Sequence, residues 1–470
     1  MRQRQAHAMY APTHALASRM WAALGGDASL LRRLRVGGAG ALPGCFAVSD
    51  FAAAAVASAA LAAEELHDRI AARPDPARGT VRVDRRLCAA WFSTTLLGLG
   101  WQPPPLRDAL TADWRCRDGW VRVHANAPHH RAAACRVLGL RDAAGGTQVA
   151  DAIAGWSGDA LEQQIVEAGG CAARMRCAHA WSVHPQGAAL RAQALVEFDH
   201  APAPSGTWQP DAKRLLRGLR VLDLTRVLAG PVATRMLAGL GATVLRIDSP
   251  HWDEPAVVPE VTRGKRCARL DLKTAQGRQR LLDLLGEADV LVHGLRPGAL
   301  EGLGLGAQAR ASARPGLIDV SLDAYGWHGP WATRRGFDSL VQMSCGIADA
   351  GMRAAGAQRP VPLPVQALDH ATGYLMAAAV LRGLVARLES GVASSARLSL
   401  AGTAQLLLEC ATDAPQPPHA ALDDADWLAR PEATPWGMAR RLRAPWSIRG
   451  VSTRWELPAA ALGSSPARWP

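Results

Sequence analysis

The alternation of apolar and polar positions predicts a parallel α/β sheet in the second half of the chain. Residues 220–224 form a short apolar strand, 229–231 carry a Gly-Pro break, 232–240 read as a helix and 241–248 as a second strand. A strand, a tight turn and a helix of about ten residues make the first crossover of a parallel sheet. The backbone N–H groups at the start of such a helix can hold a phosphate or another anion.

The same rhythm continues towards the C-terminus. A helix is expected over 273–288, strands over 289–293 and 317–322, and a long Ala/Leu helix begins within 366–374. Strands that alternate with helices predict the α/β class with a doubly wound, Rossmann-like parallel sheet. A second, smaller α/β domain is expected upstream, where short strands and helices alternate.

Breaks in composition divide the 470 residues into six segments, a length that suits two or three domains. A faint internal repeat also appears: helices that begin near Asp50 and near Asp369 both lead, about thirty residues on, into a short strand. The expected segments are an irregular basic N-terminal segment (1–40), a region with the first of these helices (41–110), the small α/β domain (111–200), a Pro-rich linker (201–213), the main α/β domain (214–400) and an irregular tail (401–470).

Charge narrows the class of partner. The net charge is +12, but the arginines are scattered rather than gathered into a stripe, so we expect a small polyanion rather than nucleic acid. Only Lys213, Lys265 and Lys273 are lysines, and the last two follow the first crossover. A compact ammonium suits a phosphate. A solvent-exposed face with two chance lysines is the alternative that the spacing leaves open.

Cysteines and apolar runs predict a cytoplasmic protein. The nine cysteines show no CxxC pair and no zinc spacing, so we expect reduced thiols and no metal. The apolar runs are interrupted by charge, Gly or Pro before they reach membrane-spanning length, and residues 1–20 lack a signal-peptide core. No membrane association is expected.

Seven motifs stand out in the second half of the chain, at residues 221–231, 264–266, 272–273, 288–292, 296–299, 336–338 and 369–373. Their order and mutual spacing resemble the class III CoA-transferases, the CaiB/BaiF family that includes formyl-CoA and carnitine CoA-transferases. The resemblance implies a CoA thioester and a free carboxylic acid as substrates, no tightly bound cofactor and a homodimer. It also implies that 41–110 is a degenerate copy of the region around the family's catalytic aspartate.

The resemblance assigns the chemistry to Asp369, which matches the family's acyl-carrying aspartate, with Asp338 as an acidic residue near the nucleophile. Without the resemblance, Asp369 reads as a helix N-cap and Asp338 as an exposed acid at a helix start. A helix N-terminus favours an ionised carboxylate. Such a carboxylate can attack a thioester and form an acyl-aspartyl anhydride, from which an aspartyl-CoA thioester follows.

The contacts to CoA carry over from the family by position. They comprise the turn after the first strand, the nucleotide-lining residues, the following loop, and a candidate for a phosphate or carboxylate. These positions are Val227, Ala229, Gly230, Leu270, Lys273, Arg296, Ala299 and Arg335.

Departures from the family pattern keep two alternatives open. Leu228 stands where transferases often have glutamine, Ser249 where an arginine commonly meets the nucleotide, and a Gly-rich covering loop is missing. One alternative is an acyl-CoA racemase or epimerase, which needs an acid/base pair; Phe337 occupies the position of its histidine and cannot carry a proton. The other is a catalytically weak CoA-binding or partner protein.

Overall fold

The computed structural model describes residues 10–71, 80–105, 108–141, 145–203, 208–410 and 417–470. The helices are α1 Ala11–Ala23, α2 Val48–Ile70, α3 Arg85–Trp91, α4 Pro128–Leu138, α5 Gly146–Ala154, α6 Gly158–Glu167, α7 Ala178–Val183, α8 Pro185–Arg191, α9 Ala229–Leu240, α10 Val258–Val261, α11 Ala275–Gly286, α12 Ala307–Ala313, α13 Asp338–Cys345, α14 Ile347–Ala354, α15 Ala367–Ser390 and α16 Leu400–Leu408. The strands are β1 Leu34–Gly37, β2 Val81–Asp84, β3 Leu96–Gly98, β4 Ala112–Cys116, β5 Gly119–Val123, β6 Ala172–Arg174, β7 Glu197–Pro202, β8 Arg220–Leu224, β9 Thr243–Asp248, β10 Lys265–Arg269, β11 Val290–His293, β12 Ile318–Asp323, β13 Val392–Ser399, β14 Glu432–Thr434, β15 Gly437–Arg441 and β16 Trp446–Ile448.

A seven-stranded sheet forms the main body and confirms the predicted α/β class. Its order is β10-β9-β8-β11-β12-β13-β7, and every strand pairs in parallel except β7, which is antiparallel at one edge. The chain leaves β8 towards β9 and β10 on one side and then returns to β11, β12 and β13 on the other. This reversal of direction, between β8 and β11, is the place where open α/β sheets bind ligands, at the carboxyl ends of the strands.

Apolar residues cover both faces of this sheet because alternate side chains of a strand point to opposite faces. Val221 faces the large core that contains α9 and α15, and Leu222 faces a separate cluster with α11. The near-continuous apolar runs of β8 and β11 are therefore explained by burial on both sides, as in other parallel sheets.

Two long helices cross the middle of the large core. α2 and α15 have 23 and 24 residues, pack against each other, and carry Asp50 and Asp369 as their third residues. α15 is long and apolar enough to cross a membrane by length and composition, but most of that window is buried inside the structure. Each helix leads into a strand, β2 or β13, which is the arrangement expected from the faint repeat. A shared origin of the two regions stays a prediction.

A second, smaller layer lies over the carboxyl end of the main sheet. Its three strands, β4-β5-β6, pair antiparallel and pack with α4, α5 and α6 around their own apolar cluster. Arg334 links it to the main body, since its Nη2 donates to the Ala172 carbonyl at 2.8 Å and lies 2.9 Å from Glu162 Oε1. The division into domains that we expected stays a prediction.

Secondary structure differs from the expectation in three segments. Residues 10–40 are not irregular, because Leu16, Met20 and Leu24 recur every fourth residue and bury one side of α1 against α2; residues 1–9 lie outside the described part. The expected linker begins inside β7, where Pro202 is tolerated because β7 is an edge strand. Residues 204–207 of that linker lie outside the described part.

The expected irregular tail is partly ordered into α16 and three short strands. β15 pairs with β3 and β16 pairs with β2, so strands from both ends of the chain share small sheets. Strands of three to five residues leave almost no periodicity, and β3 and β2, with which β15 and β16 pair, lie more than three hundred residues away. Local patterns therefore could not show them. Residues 411–416 lie outside the described part.

Candidate functional site

The loops after β8 and β11 open a cavity of about 280 Å³ at the reversal point of the sheet. Arg226, Val227 and Ala229 follow β8, and Arg296 and Ala299 follow β11; all five line this space. We call it the basic cavity, and its other lining residues are His129, His130, Trp252, Gly294, Leu295, Pro297, Leu322, Asp323, Ala324, Arg334, Arg335, Gly336, Phe337, Asp369 and Leu400.

Four arginines give this cavity its positive charge. Arg296 is exposed, whereas Arg226 is held with its guanidinium 5.1 Å from the centroid of the Trp252 ring. Burial lowers the pKa of Arg226, but guanidinium groups stay protonated at neutral pH. Burial also lowers the pKa of His130 to about 3, so that imidazole is neutral. Arginines that converge in a cleft suit a phosphate-bearing ligand.

Val227 has an unusual backbone conformation at the edge of the basic cavity. Its φ is 61°, a left-handed value that costs a β-branched residue on the order of 1–3 kcal/mol. Its N–H donates to both carboxylate oxygens of Glu254, at 3.0 and 3.1 Å, which holds the turn in place. Strained backbone of this kind concentrates at functional sites. The strain at Val227 therefore indicates that the turn after β8 belongs to a functional site.

A second cavity, of about 520 Å³, adjoins the basic cavity. Val227, Phe337 and Asp369 line both spaces, so Asp369 lies where the two meet. Its remaining lining residues are Phe92, Ser93, Thr94, Leu96, Pro103, Pro104, Thr111, Arg122, His124, Asn126, Leu228, Ala256, Val257, Glu260, Asp338, Ser339, Leu363, Pro364, Val365, Gln366 and His370.

Asp338 holds the first turn of α15, the helix that carries Asp369. Its Oδ2 accepts hydrogen bonds from the backbone N–H groups of Leu368 at 2.9 Å and Asp369 at 3.0 Å, and Gln342 donates to its other oxygen. Gln366, the residue before the helix, makes no side-chain cap of its own. Asp338 therefore caps α15, which is the role that the N-cap interpretation gave to Asp369. The Asp369 side chain does not serve as the cap.

The expectation that the helix N-terminus keeps Asp369 ionised is wrong for this environment. Burial, followed by the nearby charge of Asp338, raises the pKa of Asp369 well above its ordinary value. Burial also raises the pKa of Asp338 to about 6. The helix dipole is outweighed because the first-turn N–H groups are already bonded to Asp338. The pair therefore resists carrying two negative charges at once.

Five of the eight expected CoA contacts line the basic cavity, and three do not. Lys273 is exposed, yet its charge reaches His129 and helps to lower the pKa of that imidazole, after burial and two arginines. Leu270 packs under the sheet. Gly230 faces Thr225 inside the fold, where an added Cβ would lie 2.2 Å from Thr225 Cγ2. Gly230 is thus required for packing rather than for a ligand.

The suggestion that Lys265 is a phosphate ligand is wrong. Its ammonium is fully buried and donates to Asp223 Oδ2 at 2.9 Å, Pro231 O at 3.0 Å and Thr234 Oγ1 at 2.6 Å. These bonds tie β10 to β8 and α9 beneath the sheet edge. A lysine that follows a strand looks the same in sequence whether it faces a ligand or a buried carboxylate.

Several lining residues were not found from the sequence. Arg226 lies two residues after β8, and its position at the end of a predicted strand is a usable signal. Arg334 lies in an irregular loop, where the sequence gives no such signal. His130 is buried in α4, and its ring meets that of Phe337 edge-on at 5.9 Å. Among the described residues, no group of three His, Cys, Asp or Glu side chains is placed to hold a metal ion.

Asp50, the counterpart of Asp369 in the faint repeat, has a different environment. Arg85 donates to both of its oxygens, from Nε at 2.8 Å and from Nη2 at 2.6 Å, and Thr13 donates at 2.5 Å. Both members of this ion pair are only 2% exposed. Asp50 is therefore a fully bonded structural carboxylate, in contrast to Asp369.

Comparison with known proteins finds one matching family model and several similar sequences. Residues 216–420 match the model of CoA-transferase family III. Over 199 residues the chain is 39% identical to an acetyl-coenzyme A transferase of Hypoxylon pulicicidum, covering 41% of this chain and 32% of that protein. It is 34% identical to a probable fatty acyl-CoA transferase of Mycobacterium tuberculosis, covering 43% and 57%. It is 32% identical to human succinyl-CoA:glutarate CoA-transferase, covering 43% and 50%.

A solved structure of the Mycobacterium tuberculosis protein is 36% identical, with a TM-score of 0.38 over 42% of this chain and 55% of that chain. A CaiB/BaiF family protein from Brucella suis is 26% identical, with a TM-score of 0.38 over 47% and 64%. The chain thus spans between a third and somewhat over half of the curated relatives quoted above. The match of residues 216–420 is to CoA-transferase family III, the family that the motifs resemble.

Proposed function

We propose that this protein transfers CoA between an acyl-CoA and a free carboxylic acid. The observation that carries the proposal is the place of Asp369, where an arginine-lined cavity meets a second cavity of mixed character. The first suits the phosphates of CoA and the second suits an acyl or acid group. A carboxylate between them is within reach of a thioester that joins the two parts of the substrate.

The chemistry proceeds through two kinds of aspartyl intermediate. The Asp369 carboxylate attacks the thioester carbonyl, and CoA leaves as thiolate to give an acyl-aspartyl anhydride. The thiolate attacks the aspartyl carbonyl and releases the first acid, leaving an aspartyl-CoA thioester. The acceptor carboxylate attacks this thioester and expels the thiolate again. The thiolate then attacks the new acyl carbonyl, which gives the product thioester and restores the carboxylate.

Neighbouring residues of this chain support each stage. The arginines of the basic cavity bind the CoA phosphates, and Asp338 positions α15 through its bonds to Leu368 and Asp369. A raised pKa suits the nucleophilic role of Asp369, because a more basic carboxylate is the better nucleophile. We further propose a cytoplasmic homodimer, which size-exclusion chromatography with light scattering and cell fractionation would test.

The two alternatives receive less support. A racemase needs a second proton carrier opposite Asp369. Phe337 occupies the position of the histidine that racemases use, and its phenyl ring, which stacks on His124 at 3.7 Å, has no proton to transfer. A catalytically weak CoA-binding protein would have the basic cavity but no reactive carboxylate. A thioester-exchange assay distinguishes the three, because only a transferase moves labelled CoA to a free acid.

Replacement of Arg296 tests the basic cavity. Arg296→Met removes one exposed guanidinium, and a charge-assisted hydrogen bond contributes about 1.5–3 kcal/mol, so CoA should bind roughly 10- to 100-fold more weakly. Isothermal titration calorimetry with CoA measures the change. Arg217→Met, which alters another exposed arginine outside both cavities, is the matched control and should leave CoA affinity unchanged. Equal losses in the two variants would remove the basic cavity from the proposal.

The Asp338–Asp369 pair predicts an unusual pH dependence. Asp369 attacks as a carboxylate, so activity should rise with pH through its raised pKa, and the acidic limb should lie well above pH 4. Asp338→Asn removes the adjacent charge but keeps an oxygen that can cap α15, so the limb should move to lower pH. Rates of CoA transfer from pH 4 to 9 give the profile. An acidic limb that stays in place in Asp338→Asn would contradict the pairing.

A further inference from the structure

Gln342, on α13, makes two buried hydrogen bonds of opposite polarity. Its side chain is buried, and its Oε1 accepts from the Leu363 backbone N–H at 2.8 Å while its Nε2 donates to Asp338 Oδ1. A backbone N–H can only donate and a carboxylate oxygen can only accept, so a flipped amide would lose both bonds. The two neighbours therefore hold the amide with its N–H group on Asp338.

Asp338 accepts three N–H donors, of which Gln342 supplies one. The backbone of Leu368 and of Asp369 supplies the other two. Burial raises the pKa of Asp338 to about 6, and these donors oppose the burial because they stabilise the charged carboxylate. For Asp369, burial and then the charge of Asp338 raise the pKa well above its ordinary value. A pair that holds one proton therefore carries it on Asp369.

Charged groups on the neighbouring elements do not reverse this distribution. After burial and the three donors, the charge of Arg122 also acts on the pKa of Asp338 and lowers it. Burial lowers the pKa of His370 to about 3 and raises that of Cys345 to about 12, so both are neutral. Glu260 is paired with an arginine of α9. The titratable groups around the pair are Arg122 and His124 from β5 and the loop after it, Cys345 from α13, His370 from α15 and Glu260 from α10.

We propose that Gln342 is a positioning residue that keeps the negative charge of the aspartate pair on Asp338 and the shared proton on Asp369. This inference rests on the proposed function and adds to it a residue that lines neither cavity. Gln342 acts on the nucleophile only through Asp338, and the Asp369 carboxylate forms when its proton leaves to solvent. Because Leu363 lines the second cavity, the same amide ties Asp338 to the wall of that cavity.

Loss of the amide donor should move the acidic limb of CoA transfer to lower pH. Gln342→Met keeps the length of the side chain but has no N–H, so more of the shared proton moves to Asp338 and Asp369 ionises earlier. We expect the midpoint of the limb to fall by about 1 pH unit, measured from rates between pH 4 and 9. A limb that stays in place while kcat falls would show a merely structural role and overturn the proposal.

The matched control is Gln279→Met. Gln279 is an exposed glutamine on α11 that also donates to an aspartate four residues away on its helix, Asp283, at 3.0 Å. Its replacement removes the same kind of bond far from the aspartate pair, so the acidic limb should stay at the wild-type pH. An equal shift in this variant would overturn the role of Gln342.

A double-mutant cycle tests whether Gln342 acts through Asp338. In the Asp338→Asn background, Gln342→Met should move the limb by less than about 0.3 pH unit, because the group that it influences is already gone. A further shift as large as in the wild type would overturn the proposal. Gln342→Glu keeps an acceptor for the Leu363 N–H if the methionine variant does not fold. Its limb should lie at or above the wild-type pH, and a lower limb would contradict the proposal.

Infrared spectra separate this inference from the proposed function, because they need no turnover. At neutral pH the C=O band of a protonated carboxyl should be lost in Asp369→Asn and kept in Asp338→Asn. In the Gln342→Met background, Asp369→Asn should remove clearly less of this band. If the bands behave so but no CoA is moved, the role of Gln342 stands and the transferase is wrong. If CoA is moved and the band is lost equally in both backgrounds, the transferase stands and the role of Gln342 is wrong.

Discussion

Asp369→Asn should abolish CoA transfer while CoA still binds. The amide cannot act as the nucleophile, and loss of a nucleophile lowers kcat by at least about 10³-fold. The basic cavity lies mainly in other elements, so the dissociation constant for CoA should change by less than about 2-fold, within roughly 0.4 kcal/mol. Transfer of labelled CoA to a free acid and calorimetry with CoA provide the two measurements.

The same variant should be more stable than the wild type at neutral and alkaline pH. Because the folded pKa of Asp369 is raised, the folded state holds its proton more tightly, and stability is lost as pH rises from the ordinary pKa through the raised one. Asp369→Asn removes that loss, so its urea midpoint should exceed the wild-type value at pH 8 and match it near pH 4. A lower midpoint at pH 8 would show that the carboxylate stabilises the fold, contrary to this account. Activity retained near the wild-type level would remove Asp369 from the mechanism.

Asp50→Asn should have the opposite profile, with a large loss of stability and little loss of chemistry. It breaks a buried ion pair and leaves Arg85 without its carboxylate, which typically costs about 3–5 kcal/mol. Urea unfolding followed by circular dichroism should show a clearly lower midpoint. At urea concentrations below that midpoint, the kcat per folded molecule should stay near the wild-type value, because Asp50 lines neither cavity.

A double variant checks the cause of this loss. Asp50→Asn/Arg85→Met removes both charges, and replacing a whole buried ion pair by neutral groups is often close to neutral, so much of the stability should return. If the double variant is as unstable as the single one, the uncompensated charge of Arg85 is not the cause. If Asp50→Asn abolishes transfer in folded protein, the contrast between the two aspartates is wrong.

The main sheet was predictable because its signal is local and repeated. Buried parallel strands give continuous apolar runs, and the alternation of Val221 and Leu222 between two cores leaves the run unbroken. The order of motifs then predicted Asp369 and Arg296 at one edge of the sheet, and both line the basic cavity. By contrast, β3 and β16 are three residues long and pair with strands at the other end of the chain, so no window of sequence contains both partners.

The site was predictable in part, for related reasons. Residues that directly follow strands, such as Val227 and Arg296, could be placed because parallel strands end at one edge. Lys265 could not be assigned, since a buried partner such as Asp223 lies 42 positions away. Arg122 belongs to the small layer, and its nearness to Asp338 depends on how that layer sits on the sheet. Likewise, the sequence suggested an ionised Asp369, but burial and a second carboxylate decide its pKa.

Trapping of the aspartyl intermediate tests the central claim most directly. The protein is incubated with an acyl-CoA, treated with hydroxylamine and digested, and the peptide that contains Asp369 is examined by mass spectrometry. Hydroxylamine attacks an activated aspartyl carbonyl, so the account predicts a hydroxamate at Asp369 that depends on acyl-CoA and is absent from Asp369→Asn. The peptide that contains Asp50 should stay unmodified. An unmodified Asp369 peptide in a preparation that transfers CoA, or a hydroxamate at another carboxylate, would contradict the mechanism.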